Sequence, residues 1–307
     1  MKDRACHATE CPLESMQEQF LRFMTLDGER DIMQGKSEKI RQYWDNQGKL
    51  SRERSEELEI LNIDKNVFRD SQGGTLKDPN LRECEIRALD KYVGKKGSIL
   101  DVGCGNGYST IVLARRNRGV VIKGTDYSHE MITSADEFLA QQNADIRQRV
   151  RFAVMDVLQP DSDETFDVVM TQRCLINIET WEKQKKAIQN IDALLNEKGL
   201  FLMLEGTLQG LESLNKLRNK VGLESVPVSW HNLFFDEVQL IDFINEEKGL
   251  NLKEIDNFCS TYMMISRVVH PAIMEPSYDA KINKIALEMP NYGDNGYLKI
   301  FVIEKVR

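Results

Sequence analysis

The chain has no excess of positive charge, no apolar run long enough to cross a bilayer and no cysteines paired at metal-site spacing. Its 41 Lys and Arg stand against 49 Asp and Glu, a formal net charge of −8. Proteins that hold nucleic acid through its phosphates usually carry a basic excess, so that class of partner is disfavoured. Nothing nears the roughly 18 consecutive apolar residues of a transmembrane helix. The opening Met1-Lys2-Asp3-Arg4-Ala5-Cys6 has no apolar core of signal-peptide length, and the expected location is cytoplasmic. Six cysteines, at 6, 11, 84, 104, 174 and 259, have no regular spacing, which fits reduced thiols. Cys6-His7 with Cys11 lacks a second ligand pair, so no metal is expected.

The composition that remains, 41% apolar and 29% charged over 307 residues, is that of an ordinary globule with room for a core of roughly 200 residues and a smaller helical part. The sequence divides accordingly into a helical N-terminal extension or lid, residues 1–80, and a core, 81–307. In the extension, Leu13, Met16, Phe20 and Met24 recur at helical steps, Ile40, Tyr43 and Trp44 mark a short helix, and 51–63 a charged one. Asp78-Pro79 reads as the cap and first turn of another helix.

The core opens on Ser98-Ile99-Leu100-Asp101-Val102-Gly103-Cys104-Gly105-Asn106-Gly107, an apolar run closed by an acid and followed by alternate glycines. Glycine at these positions permits a tight turn and a close approach of backbone to ligand, directly after a buried strand. A second strand over 120–126 ends in Asp126, a third over 150–156 in Asp156, a fourth spans 166–171 and a fifth 200–205. Helices over 111–118, 131–142 and 181–195 alternate with them, and the alternation predicts an α/β fold, a doubly wound and mostly parallel seven-stranded sheet. Residues 207–235 form an insertion after the fifth strand. Asp236 with Gln239 makes a capping box, and Phe235 with Leu240 a hydrophobic staple. Strands near 252–258 and 297–305 and a helix over 280–289 complete the chain.

The glycine triad lacks the G-x-G-x-x-G spacing of a dinucleotide site, and acids close three successive strands. Carboxylates suit a ribose diol, an ammonium and a sulfonium better than they suit a pyrophosphate. On these residues the chain resembles the class I S-adenosylmethionine-dependent methyltransferases over about 85–206. The resemblance implies S-adenosyl-L-methionine as cofactor. It assigns cofactor contacts to Asp101, Gly103, Cys104 and Gly105 on the first turn, to Asp126 and Tyr127 (ribose), to Asp156 and Val157 (adenine), and to Gln172 in Thr171-Gln172-Arg173-Cys174 facing the transferring methyl.

For the methyl acceptor the sequence favours a small polar molecule, most simply methylated at a hydroxyl. A protein or RNA acceptor and a catalytically idle cofactor-binding subunit stay open. His231, beside Trp230 and Asn232 in the insertion, is the candidate general base. Glu205 at the end of strand five is the candidate orienting acid. Arg218, Arg267 and Tyr262 are candidates to bind an anionic acceptor.

Overall fold

A computed structural model describes residues 35–53, 78–94 and 97–306. The Leu13–Met24 stripe, the Cys6/Cys11 pair and residues 54–63 lie outside them. Seven strands form one sheet in the order β3-β2-β1-β4-β5-β7-β6: β1 Ser98–Val102, β2 Val121–Asp126, β3 Val150–Val154, β4 Phe166–Gln172, β5 Leu195–Gly206, β6 Leu250–Asp256 and β7 Leu298–Lys305. Strands β1 to β5 pair in parallel, and β7 inserts antiparallel between β5 and β6.

Alternation along each strand builds two cores. Ile99, Ile122, Val168, Met170, Leu202, Leu204, Ile300 and Val302 pack on one face with helix Pro79–Val93 and helix Tyr108–Arg116. Leu100, Val102, Val169, Phe201, Met203, Phe301 and Ile303 pack on the other, with Ala187, Ile188 and Ile191 of helix Trp181–Ala193. A sheet covered on both faces needs apolar residues at every strand position, which is why these strands read as continuous apolar runs. Strand order reverses between β1 and β4, and the crevice outside the carboxyl ends of such strands is where ligands bind in open α/β sheets.

Local chemistry explains most boundaries. Asp78 caps its helix by accepting from Asn80 N and Leu81 N, and Asp236 caps Glu237–Glu246 by accepting from Gln239 N. The helix after β2 begins at His129 because Ser128 is its cap, accepting from Met131 N. A helix at Ala144–Arg149, capped by Asn143, was not legible; at six residues it carries too little periodicity to register. Strand β5 starts at Leu195, five residues before the apolar run Leu200–Leu204, and bulges where Lys198 adopts φ 60. The stretch 261–269 is helical, with a π segment over Ile265–Val269. Residues 35–53 form one continuous helix that takes in Ile40, Tyr43 and Trp44. It is held to the core by Ser128 Oγ donating to Asp45 and by an Arg52–Glu130 ion pair.

Candidate active site

The β1–α turn is built by three left-handed glycines, Gly103 (φ 74), Gly105 (φ 55) and Gly107 (φ 74). A side chain on Gly103 would overlap the Cys174 thiol, and one on Gly107 would meet the Phe152 ring at 2.5 Å. At Gly105 a Cβ would meet nothing within 4 Å. Two of the glycines therefore serve internal packing, and Gly105 faces open space. Gly103 N and Cys104 N donate to Thr125 O at 2.7 and 2.9 Å, which ties the turn to the end of β2.

Asp126 ends β2 beside this turn, 8% exposed, accepting from Gly105 N at 3.0 Å and Ser128 N at 2.9 Å. Burial pushes its carboxyl up to about 6 against the pull of those backbone donors. Asp101 is 1% exposed and lies under the turn, away from the cavity walls, accepting from Thr110 Oγ1 at 2.5 Å. Burial raises it to about 7. Asp156 Oδ1 accepts from Leu158 N at 2.9 Å.

Asp126 and Asp156 border two adjoining cavities. One, about 90 Å³, is walled by Val102, Met155, Asp156, Val157 and Ile178 on the core side and by Ser37, Ile40 and Arg41 of helix 35–53 above. The other, about 80 Å³, runs from Asp126 and Tyr127 past Gly103 and Gly105 to Gln172, Arg173 and Trp44. A smaller recess beyond it, about 60 Å³, is walled by Cys104, Gly105, Arg82 and Arg173. The donor set fits S-adenosyl-L-methionine: an apolar slot closed by Asp156 for adenine, buried Asp126 for the ribose diol and open space at Gly105. The Tyr127 hydroxyl and Asn177 Oδ1 are buried here without a partner, as expected of groups that meet a ligand.

Of the sequence candidates, Gly103, Gly105, Cys104, Asp126, Tyr127, Asp156, Val157 and Gln172 border this continuous groove. His231 and Glu205 part company. His231 walls a separate cavity of about 310 Å³ that shares Trp44, Arg173 and Asn177 with the cofactor groove. Its ring stacks on Tyr43 at 4.8 Å, its Nδ1 is buried without a partner, and burial lowers its basicity. Glu205 is fully buried and its oxygens are committed: they accept from Cys174 N at 3.2 Å, Leu175 N at 2.9 Å and Ile176 N at 3.2 Å. It holds the first turn after β4, and burial raises it to about 7.

The three candidates for an anionic acceptor are used elsewhere, which corrects that expectation. Tyr262 and Arg267 both donate to buried Asp78, and Arg218 donates to the carbonyls of Glu224 and Arg267. The sequence placed Thr171-Gln172-Arg173-Cys174 at the site; what it missed is the tie of that turn to Glu85 and the part played by Asn177. Arg173 adopts φ 54, and its Nε lies 3.0 Å from Glu85 Oε1, while Gln172 Nε2 donates to Glu85 Oε2. Asn177 Nδ2 donates to Arg173 O at 2.8 Å. The Glu85–Arg173 pairing spans a separation no local pattern reveals. Among the described residues no cluster of three His, Cys, Asp or Glu is placed to hold a metal, and no helix is long and apolar enough to cross a membrane.

Comparison with known proteins agrees with this geometry. A family described as "Methyltransferase domain" matches residues 94–234. The mRNA cap guanine-N(7) methyltransferase of Eremothecium gossypii is 30% identical over 55% of this chain and 40% of its own length. Norajmaline N-methyltransferase of Rauvolfia serpentina is 34% identical over 29% of this chain and 30% of its own. The chain thus spans well under half the length of these curated relatives. A TehB-like SAM-dependent methyltransferase from Corynebacterium glutamicum superposes with a TM-score of 0.44 at 18% identity, covering 72% of this chain and 87% of that one. The domain match falls on the glycine turn and its acid-ended strands, so residues 94–234 are similar to the methyltransferase domain family.

Proposed function

We propose that this protein transfers the methyl group of S-adenosyl-L-methionine to a hydroxyl of a small polar molecule held in the His231 cavity. The observation that carries the reading is the junction of the two cavities. Trp44, Arg173 and Asn177 wall both, so a molecule beside His231 borders the end of the groove assigned to the cofactor's methionine part.

The cofactor supplies an already activated methyl, and the work left to the protein is alignment and exclusion of water. Helix 35–53 roofs the groove with Ile40 and Arg41 and walls the acceptor cavity with Tyr43 and Trp44, which supports the reading of the N-terminal part as a lid. A hydroxyl is a poor nucleophile at neutral pH and needs a base within hydrogen-bond reach. His231 suits that role, because burial keeps its imidazole neutral at pH 7 and Nδ1 has no partner within the chain. Glu205 fits a positioning role, since it fixes the backbone turn that carries Cys174, Leu175 and Ile176. The four described cysteines carry free thiols, which supports a reducing compartment such as the cytoplasm.

A cavity of about 310 Å³ suits a small acceptor. The test is a labelled-methyl transfer screen across sugars, phenols, acids and amines, repeated with His231→Ala. The variant is expected to lose about 10²–10⁴-fold in kcat with unchanged cofactor affinity; equal turnover would remove His231 from the mechanism.

A further inference from the structure

We infer that the acceptor is a flat, uncharged aromatic ring bearing a hydroxyl, a phenol or naphthol in chemical class. The inference rests on the proposed methyl transfer and goes on to the substrate. Three features of the roughly 310 Å³ cavity carry it.

The first is charge. Among the described residues bordering the cavity there is no Asp or Glu, and the ionised side chain present is Arg173. That guanidinium already faces buried Glu85 at 3.0 Å. A cationic amine would find no carboxylate, and an anion would find a cation already engaged, so a neutral acceptor loses least on leaving water.

The second is shape. The Phe234 and Tyr297 rings lie stacked at 5.8 Å and 23°, and Tyr43 lies on His231 at 4.8 Å and 23°. Trp44 borders the same cavity and meets the His231 ring edge-on at 5.6 Å. Faces of this kind reward a ring placed offset or edge-on against them, and an aliphatic ring of equal bulk gains only area.

The third is hydrogen bonding. Asn177 donates through Nδ2 to Arg173 O, so its free atom is the acceptor Oδ1, buried and unpartnered. His231 Nδ1 is likewise buried, unpartnered and on a neutral ring. Two acceptors without a donor call for a ligand that brings an O–H. A sugar would bring more hydroxyls than these two groups with Ser229 and Asn232 can partner, and each one left facing an aromatic wall would lose its water without replacement. In the transfer, an electron pair of the phenolic oxygen forms the bond to the methyl carbon. The sulfur keeps the pair of the bond that breaks and becomes a neutral thioether, and the phenolic proton passes to His231 Nδ1 and on to water.

A matched pair tests this: 2-naphthol against its saturated counterpart decahydro-2-naphthol, with the full chain. Binding is read by quenching of tryptophan fluorescence and methylation by transfer from labelled S-adenosylmethionine. The expected result is binding and turnover of 2-naphthol at least about tenfold above the saturated alcohol, on the scale of one or two aromatic contacts. Phe234→Leu and Tyr43→Leu should each shrink that ratio. Equal treatment of the pair, preference for the saturated alcohol, or a folded protein that binds S-adenosylmethionine and ignores both would overturn the inference. In the first two cases hydroxyl methylation itself would stand. Failure to bind S-adenosylmethionine would instead sink the underlying reading, and the inference with it.

Discussion

At the residue scale, the glycine turn separates two kinds of constraint that a sequence motif fuses. At Gly103 Cys174 occupies the space a side chain would take, whereas Gly105 faces open space at the edge of the groove. Both are left-handed, so alanine at either costs roughly 1–2 kcal/mol of backbone strain. Gly103→Ala adds a clash with a buried thiol, and denaturant titration should find it markedly less stable than Gly105→Ala. Gly105→Ala should fold and show its defect in cofactor binding, measured by calorimetry. Asp126 makes a pH prediction. Its carboxyl sits at about 6, and the ionised form is the one that binds ribose hydroxyls, so affinity for S-adenosylmethionine should hold above pH 6 and weaken as pH falls through it. Calorimetric titrations at pH 5 and 7.5 read this directly; a constant affinity would mean that Asp126 does not meet the ligand.

At the element scale, the sequence placed Gln172 and Arg173 on the turn after β4 but hid what holds that turn in place. Glycine spacing and strand-end acids are local and periodic, so Gly105, Asp126 and Asp156 were legible from neighbours a few residues away. Arg173 and Asn177 take their positions from Glu85 and from Glu205, which approach from other elements of the chain. No pattern of period 2 or 3.6 records such a meeting. Glu205, read in sequence as an acid beside the acceptor, is in space the anchor of this turn. Glu205→Gln keeps one acceptor oxygen and turns an amide donor toward backbone N–H groups. Stability should fall by about 1–3 kcal/mol for a buried donor left unpaired, with methyl transfer reduced through displacement of Arg173 and Asn177. Urea denaturation and a comparison of kcat with KM would separate the two effects. The helix over 35–53 was half legible: its apolar positions were clear, and its service to both cavities depends on its placement across the sheet's crevice.

At the scale of the whole molecule, the order β3-β2-β1-β4-β5-β7-β6 follows from the strand and helix alternation except at its end. Strand β7 inserts between β5 and β6, an antiparallel step that local pattern does not encode. The buried acids give the fold a pH signature. Asp101 and Glu205 both stand near 7, raised by burial. Between the unfolded values near 4 and 7 the folded chain binds more protons than the unfolded one. Their contribution is therefore fully present below about pH 4 and is lost as pH rises through 7. Asp101→Asn should flatten the decline in unfolding free energy between pH 5.5 and 8, followed by denaturant titration at each pH.

The central claim is that this crevice holds S-adenosylmethionine, and isothermal titration tests it most directly. The full chain should bind S-adenosylmethionine at a single site and bind NADH far more weakly or not at all. Asp126→Asn should weaken the first titration by roughly 10–100-fold, the scale of one or two hydrogen bonds to a charged group. Tight binding of NADH with no heat from S-adenosylmethionine would contradict the account.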